Sequence, residues 1–108
     1  MMAGMTYYIL EDRKVVECDL YTWSNWFEKN FKARQVALST VDFYEISTVF
    51  LGLDHNCFGG RPLIFETMIF MPMDDIYCKR HSTYEEAELG HEEAKEWLSK
   101  YIANGCKE

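Results

Sequence analysis

The stretch from residue 46 to residue 91 most constrains the fold of this chain, because it places two apolar runs before a capped helix. The runs, at about 44–51 and 63–70, are nearly continuous in branched and aromatic residues. Such runs are typical of central strands that are covered on at least one face. Glu66 is the polar exception in the second run, and Pro72 ends it, because proline has no N–H to donate to a neighbouring strand.

The last helix is predicted from its ends and from its periodicity. Ser82 followed three residues later by Glu85 has the spacing of a capping box, in which each residue satisfies an N–H group at the helix start. Gly105 lies just past the apolar pattern, where helices commonly end. Apolar side chains recur between them at every third or fourth position, and His91 falls within this stripe, so we expect it to face the sheet.

Shorter elements precede this stretch. A β-prone run at 6–10 is followed by a turn, and the valines at 15–16 are placed to pair back onto it as a hairpin. Asp19 is the predicted N-cap of a first amphipathic helix, whose aromatic face is most simply buried against a sheet. Two further strands are predicted at 34–38 and 76–80.

Together these elements predict an α+β fold. We expect a single domain over residues 1–108, with residues 1–5 as a frayed or added end, because 108 residues leave room for only one core. The chain is 48% hydrophobic and 16% aromatic, which supplies enough apolar surface for that core. The expected architecture is an antiparallel sheet of four or five strands with two helices packed on one face.

The charge and hydropathy of the chain disfavour several classes of function. A net charge of −7 argues against direct nucleic-acid binding, where Lys and Arg must displace counterions from the phosphates. It leaves a basic protein partner, imitation of nucleic-acid charge, or simple solubility as explanations. No apolar run approaches the roughly 20 residues that span a bilayer, and no signal-peptide pattern is visible. We therefore expect a cytoplasmic protein without membrane contact, and its four widely spaced cysteines are expected to be reduced thiols.

The loop between the two apolar runs holds most of the candidate ligand-binding residues. Asp54, His55 and Asn56 supply hydrogen-bonding groups, two glycines allow close approach of the backbone, and Arg61 can bind a phosphate or carboxylate. The alternative is an ordinary hairpin loop, in which the polar side chains satisfy local backbone groups and the glycines turn the chain.

Glu66 and His91 complete the candidate ligand-binding set. If both point inward, they form a buried pair that is either a satisfied structural network or half of an acid–base site. The sequence contains no P-loop, dinucleotide-binding fingerprint, nucleophile elbow or zinc-protease motif. No catalytic residue is therefore assigned, and an enzyme is the less favoured hypothesis.

A metal site is considered but not predicted. His55, Cys57, Cys78 and His81 have the side chains of a zinc ligand set, yet their spacing is unremarkable. Cysteine in a strand is more often a small core residue than a ligand. His55 and Cys57 also have the types of a base and a nucleophile, but no orienting acid accompanies them. We therefore predict no metal and no cofactor.

Three segments of the chain resemble small uncharacterised proteins of bacteriophages and prophages. They are residues 47–55 (STVFLGLDH), the pattern L-x-F-E-T-M-x-F at 63–70, and S-T-x-E-E-A-E-x-G-H at 82–91, so the likeness covers about half the chain. The loop departs from the expected Gly- and Pro-rich pattern at Cys57 and Arg61. The resemblance implies a phage setting, in which small acidic proteins often act by binding, and carries no established activity.

These observations favour a non-enzymatic accessory protein that acts by binding, in one form by inhibiting a host defence protein in the host cytoplasm. The alternative is a binder of a small anionic ligand or nucleotide, or a small enzyme, that uses the 54–61 loop together with Glu66 and His91. A third hypothesis is a virion or assembly component with a large apolar interface. The abundance of aromatic residues also makes a homodimer plausible.

Overall fold

The computed structural model of the protein describes residues 5–54, 60–71 and 74–106. Strands and helices follow one another in an α+β order. In chain order the elements are β1 (Thr6–Glu11), β2 (Lys14–Cys18), α1 (Leu20–Lys29), α2 (Phe31–Arg34), β3 (Gln35–Val41), β4 (Tyr44–Phe50), β5 (Leu53–Asp54), β6 (Phe65–Met71), β7 (Asp74–His81) and α3 (Tyr84–Ala103). The predicted α+β class is confirmed.

The strands are divided over two antiparallel sheets. Four strands form the larger sheet in the order β3-β4-β6-β7, and three form the smaller sheet in the order β2-β1-β5. The division occurs at Gly52, whose φ of +72° turns the chain out of β4 and brings its carbonyl to the Tyr8 N–H at 2.8 Å. A Cβ at Gly52 would lie 2.5 Å from the Tyr8 carbonyl oxygen and 2.6 Å from Trp23 Nε1, so only glycine allows this close approach.

Helix α3 covers one face of the larger sheet and contacts all four of its strands. The buried faces form two clusters, one around Phe50 and Phe65 and the other around Ile46, Ile69 and Leu98. Helix α1 packs chiefly on β1. Its Trp26 indole reaches the core through an edge-to-face contact with the Phe50 ring, at a centroid distance of 5.6 Å. The second helix therefore follows the smaller sheet instead of lying beside α3.

The ends of the helices follow the predicted caps, with one correction. The Asp19 side chain accepts from the Thr22 N–H at 2.8 Å and caps α1. The N-cap of α3 is Thr83, not Ser82, because the Thr83 hydroxyl accepts from the Glu86 N–H at 3.0 Å. The sequence contains two overlapping Ser/Thr-x-x-Glu patterns here, and only the backbone geometry chooses between them.

The end of α3 confirms the predicted role of Gly105. Its φ is +70°, and its N–H donates to the Ile102 carbonyl at 3.0 Å. The next N–H, of Cys106, donates to the Tyr101 carbonyl at 2.8 Å. This pair of hydrogen bonds is a Schellman motif, and it satisfies carbonyl groups that the helix leaves without intrahelical donors.

Candidate functional site

His91 lies in the middle of α3 and faces the sheet, as the periodicity predicts. Its side chain is 2% exposed. Nδ1 lies 2.8 Å from Thr48 Oγ1 on β4, and Nε2 lies 2.8 Å from Ser39 Oγ on β3. Both ring nitrogens therefore have a hydroxyl partner, which is what a buried imidazole requires.

The hydrogen bonds continue from Thr48 across the sheet. Thr48 Oγ1 lies 2.7 Å from Thr67 Oγ1 on β6, and Thr67 Oγ1 lies 3.0 Å from His81 Nε2 on β7. All four strands of the larger sheet and helix α3 thus contribute one side chain each. We call this set the hydroxyl–imidazole chain; its members, in order, are Ser39, His91, Thr48, Thr67 and His81.

The local sequence explains how these side chains meet. Thr48 and Thr67 are directly opposed in the β4–β6 register, so their hydroxyls share the face that α3 covers. His81 comes close to the helix because the facing helical residue is Gly90, where a Cβ would lie 2.6 Å from the His81 Nε2 atom. Glycine in a helix interior is unfavourable, and here it leaves room for an imidazole ring.

The hydroxyl–imidazole chain can be satisfied in either direction. In one direction the Ser39 hydroxyl donates to His91 Nε2, and the donations then run through both threonines to a bare nitrogen of His81. In the other, the N–H groups and hydroxyls all donate the opposite way. Each direction needs only neutral imidazoles, because each of the two threonine hydroxyls donates once and accepts once, and His91 donates through one ring nitrogen and accepts through the other. A proton added at one end and removed at the other would reverse the direction of donation.

Burial decides the charge state of both histidines. Burial lowers the pKa of the His91 imidazole, although the Glu92 carboxylate acts in the opposite direction. Burial also lowers the pKa of His81, against the opposing effect of the Glu86 and Glu93 carboxylates. Both rings are therefore held neutral at pH 7, which matches the hydrogen-bond pattern.

Ser39, His91 and Thr48 follow one another in the hydroxyl–imidazole chain in the order of a nucleophile, a base and an orienting group. Ser39 is half-buried, and its hydroxyl is hydrogen-bonded to His91 Nε2, whereas Thr48 is hydrogen-bonded to the other ring nitrogen. The orienting group is a hydroxyl, not a carboxylate, so it brings no negative charge to stabilise an imidazolium. This geometry supports a satisfied polar core better than it supports nucleophilic catalysis.

Glu66, which the sequence analysis grouped with His91, lies on the opposite face of the sheet. Its neighbour Thr67 points toward α3, and side chains alternate along a strand. Glu66 accepts from Arg80 Nε at 3.1 Å and from the Cys78 thiol at 3.5 Å. The hypothesis of an inward Glu66 paired with His91 is therefore not supported, because the continuous apolar run concealed the alternation of faces.

The remaining candidate residues come from the loop. The Arg61 guanidinium contacts both carboxylate oxygens of Glu86 at 2.9 Å, so the anion it holds is a side chain of α3. Arg61 lowers the pKa of the Glu86 carboxyl, and the backbone N–H of Ser82 adds to this effect. Asp54 lies at the end of β5, opposite Thr6 of β1. His55 and Asn56 fall outside the described residues.

In the part of the chain that the structure describes, no group of three or more His, Cys, Asp and Glu side chains is placed to hold a metal ion. Cys78 faces Glu66 while His81 faces Thr67, so these two zinc candidates point to opposite sides of the sheet; His55 and Cys57 lie outside the described residues. Among the helices described, none has the length and hydropathy needed to cross a bilayer.

The face of the larger sheet opposite α3 bears a second group of aligned side chains. The register places Leu38, Ser47, Met68 and Cys78 in one row across all four strands. Leu38 is 55% exposed, and no described helix packs on this side. We call this surface the open face; it is defined by Leu38, Thr40, Glu45, Ser47, Val49, Glu66, Met68, Phe70, Cys78 and Arg80.

Sequence reasoning missed most of the hydroxyl–imidazole chain. Thr48 and Thr67 entered only as positions in the segments that resemble phage proteins, Ser39 was not singled out, and His81 entered only as a zinc candidate. One signal was available, because Thr48 and Thr67 each interrupt an apolar run at an inward position. A hydroxyl at such a position needs a buried partner.

No protein-family model, no curated protein and no solved structure matches this amino-acid sequence. The resemblance to phage proteins therefore stays a prediction.

Proposed function

We propose that the protein acts by binding another protein through the open face of the larger sheet. The observation that carries this proposal is the row of side chains across four strands that no described helix covers, with Leu38 55% exposed within it. At one end of the sheet, Phe43 in the β3–β4 turn is 83% exposed. Exposed apolar side chains that cluster on one surface commonly mark interaction sites.

The size of the open face indicates how much surface the partner must contact. Strands are ~4.8 Å apart and same-face residues ~6.8 Å apart, so three rows over four strands cover roughly 300–400 Å². A stable interface buries about 800 Å² on each partner. The partner must therefore extend beyond the open face, and Phe43 at the turn is the nearest exposed aromatic anchor along β3 and β4.

The charge of the chain favours a foreign partner over a second copy. Two copies would bring −7 against −7, whereas a basic protein would be attracted. Pairing through the sheet edges is also disfavoured, because β3 and β7 each carry a register shift that interrupts the ladder. In the phage setting that the sequence resembles, the partner would be a host protein in the cytoplasm and the outcome its inhibition.

A pair of matched variants tests this proposal. Leu38→Arg places a charge on the open face, and Leu89→Arg makes the same change on α3 at a residue of similar exposure, 62%. Both variants should fold, since both sites are largely solvated. We expect quantitative affinity capture from host lysate to recover a basic protein with the wild type and with Leu89→Arg, and to lose it with Leu38→Arg.

Two results would contradict the proposal. Equal recovery of every captured protein by both variants would show that the open face is not the binding surface. A wild-type dimer in light scattering that Leu38→Arg alone converts to a monomer would show that the open face binds a second copy instead.

A further inference from the structure

We propose that a cavity at the end of the larger sheet binds a small organic anion. The cavity has a volume of about 460 Å³ and lies between the β1–β2 turn, helix α2 and the first residue of α3. Small-molecule sites usually have volumes of about 300–1,000 Å³. The cavity shares no lining residue with the open face or with the described residues of the 54–61 loop, so the inference goes beyond the protein-binding role.

The β1–β2 turn presents Arg13 to this cavity in an unusual backbone conformation. Asp12 and Arg13 are the two central residues of the hairpin, with φ values of 51° and 65°. Glycine or asparagine adopts such angles most easily, and a long side chain at positive φ is strained. A two-residue hairpin requires positive φ at these positions, and the turn places the Arg13 guanidinium 5.2 Å from the centre of the Tyr84 ring.

The charge around the cavity favours an anion although the chain as a whole is acidic. Arg13 and Lys32 both line it, against the single carboxylate of Asp12. Within the described residues, the ion pairs involve other side chains, so neither cation is held by a carboxylate. Arginine binds carboxylate and phosphate oxygens through two parallel hydrogen bonds, and a lysine alongside adds charge.

The other walls of the cavity indicate the rest of the ligand. Gln35 lines the cavity with an amide side chain, and the apolar lining residues are Leu10, Ala33, Val36 and Tyr84. Leu10 and Tyr84 belong to the core cluster, and Val36 packs against it. Apolar walls beside two cations suit a molecule with a hydrophobic body and one anionic end. The ligand class is therefore a small organic anion, a carboxylate or a phosphate monoester with an aromatic or aliphatic body.

The test is a titration of the full chain with phenyl phosphate, followed by amide NMR shifts and by calorimetry. Arg13→Gly removes the guanidinium and relieves the positive φ, so this variant should melt no earlier than the wild type. Lys14→Ala is the matched control. Lys14 is the next cation in the sequence, but it does not line the cavity and lies in a separate groove beside the start of α3. We expect the affinity to fall at least tenfold in Arg13→Gly and to stay within twofold in Lys14→Ala.

The two parts of the ligand are separated by simpler probes. Inorganic phosphate, which lacks the apolar body, should bind more weakly than phenyl phosphate, and benzoate should bind at the same residues. The inference fails if phenyl phosphate shifts no amides of residues lining the cavity. It also fails if Arg13→Gly and the wild type bind the probe equally well.

Discussion

Gly90 gives the sharpest test of the packing between α3 and the sheet, because replacing it with alanine should have an effect of unusual sign. In an ordinary helix interior, Gly→Ala stabilises a protein by about 1 kcal/mol. Here the new Cβ would lie 2.6 Å from His81 Nε2, well inside van der Waals contact, so the imidazole must move. Moving it breaks the 3.0 Å hydrogen bond to Thr67.

The expected magnitude follows from these contributions. Loss of one hydrogen bond costs about 1 kcal/mol, and forcing a side chain off its rotamer costs about 0.5–1.5 kcal/mol more. Against a helix gain of about 1 kcal/mol, Gly90→Ala should lower the free energy of unfolding by roughly 1 kcal/mol. In a His81→Ala background the imidazole is absent, so Gly90→Ala should raise the free energy of unfolding by about 1 kcal/mol. The two substitutions would then have a coupling energy of about 2 kcal/mol.

The assay is urea unfolding of the four members of this cycle, followed by tryptophan fluorescence. Gly105→Ala serves as the control, because its φ is +70° and its surroundings are open, so its cost of about 1 kcal/mol should be the same in both backgrounds. If Gly90→Ala stabilises the wild type as much as it stabilises His81→Ala, the ring does not rest against the helix. The account of the hydroxyl–imidazole chain would then be wrong.

Three further predictions concern the same sheet and helix. Thr48→Val should lower the free energy of unfolding by about 1–3 kcal/mol, because it leaves the buried Nδ1 of His91 without a hydrogen-bond partner. Urea unfolding measures this change, and a loss below about 0.5 kcal/mol would contradict the prediction. Burial lowers the folded-state pKa values of His81 and His91, so the unfolded chain binds more protons than the folded protein below about pH 6.5. The free energy of unfolding should therefore fall between pH 7 and pH 5, and a stability that does not change with pH in this range would contradict the assignment of both rings as neutral. In thermal unfolding, Thr83→Ala should lower the free energy of unfolding by about 1 kcal/mol, and Ser82→Ala should lower it by clearly less. A larger loss for Ser82→Ala than for Thr83→Ala would show that Ser82 is the N-cap.

Much of the secondary structure could be predicted from sequence because its signals are local. The β4 and β6 strands follow from apolar runs, and the predicted starts and ends of those runs lie within two residues of Tyr44–Phe50 and Phe65–Met71. Asp19 and Gly105 were assigned to helix ends on side-chain and backbone chemistry alone, and both are confirmed. The shift of the cap from Ser82 to Thr83 marks the limit of such signals, since two adjacent residues satisfied the same pattern.

The candidate site was predicted less well, because its geometry depends on which face each residue takes. Glu66 and His91 are 25 positions apart, and the sequence alone does not show that the sheet lies between their side chains. Arg61 was a candidate for binding a ligand anion, and in the structure its guanidinium pairs with the Glu86 carboxylate. Such contacts depend on how loops, strands and helices pack against one another, and the few residues around each position do not specify that packing.

The sequence by itself determined the α+β class, the cap at Asp19, the helix end at Gly105 and the inward position of His91, because periodicity and capping are properties of a few neighbouring residues. Only the tertiary structure decided that Thr48 and Thr67 join two histidines, since those four side chains come from separate elements. The same holds for the open face and for the cavity beside Arg13, because each is formed by residues of several elements that come together only in the folded protein. Local interactions specify where elements begin and end, and packing specifies which side chains meet.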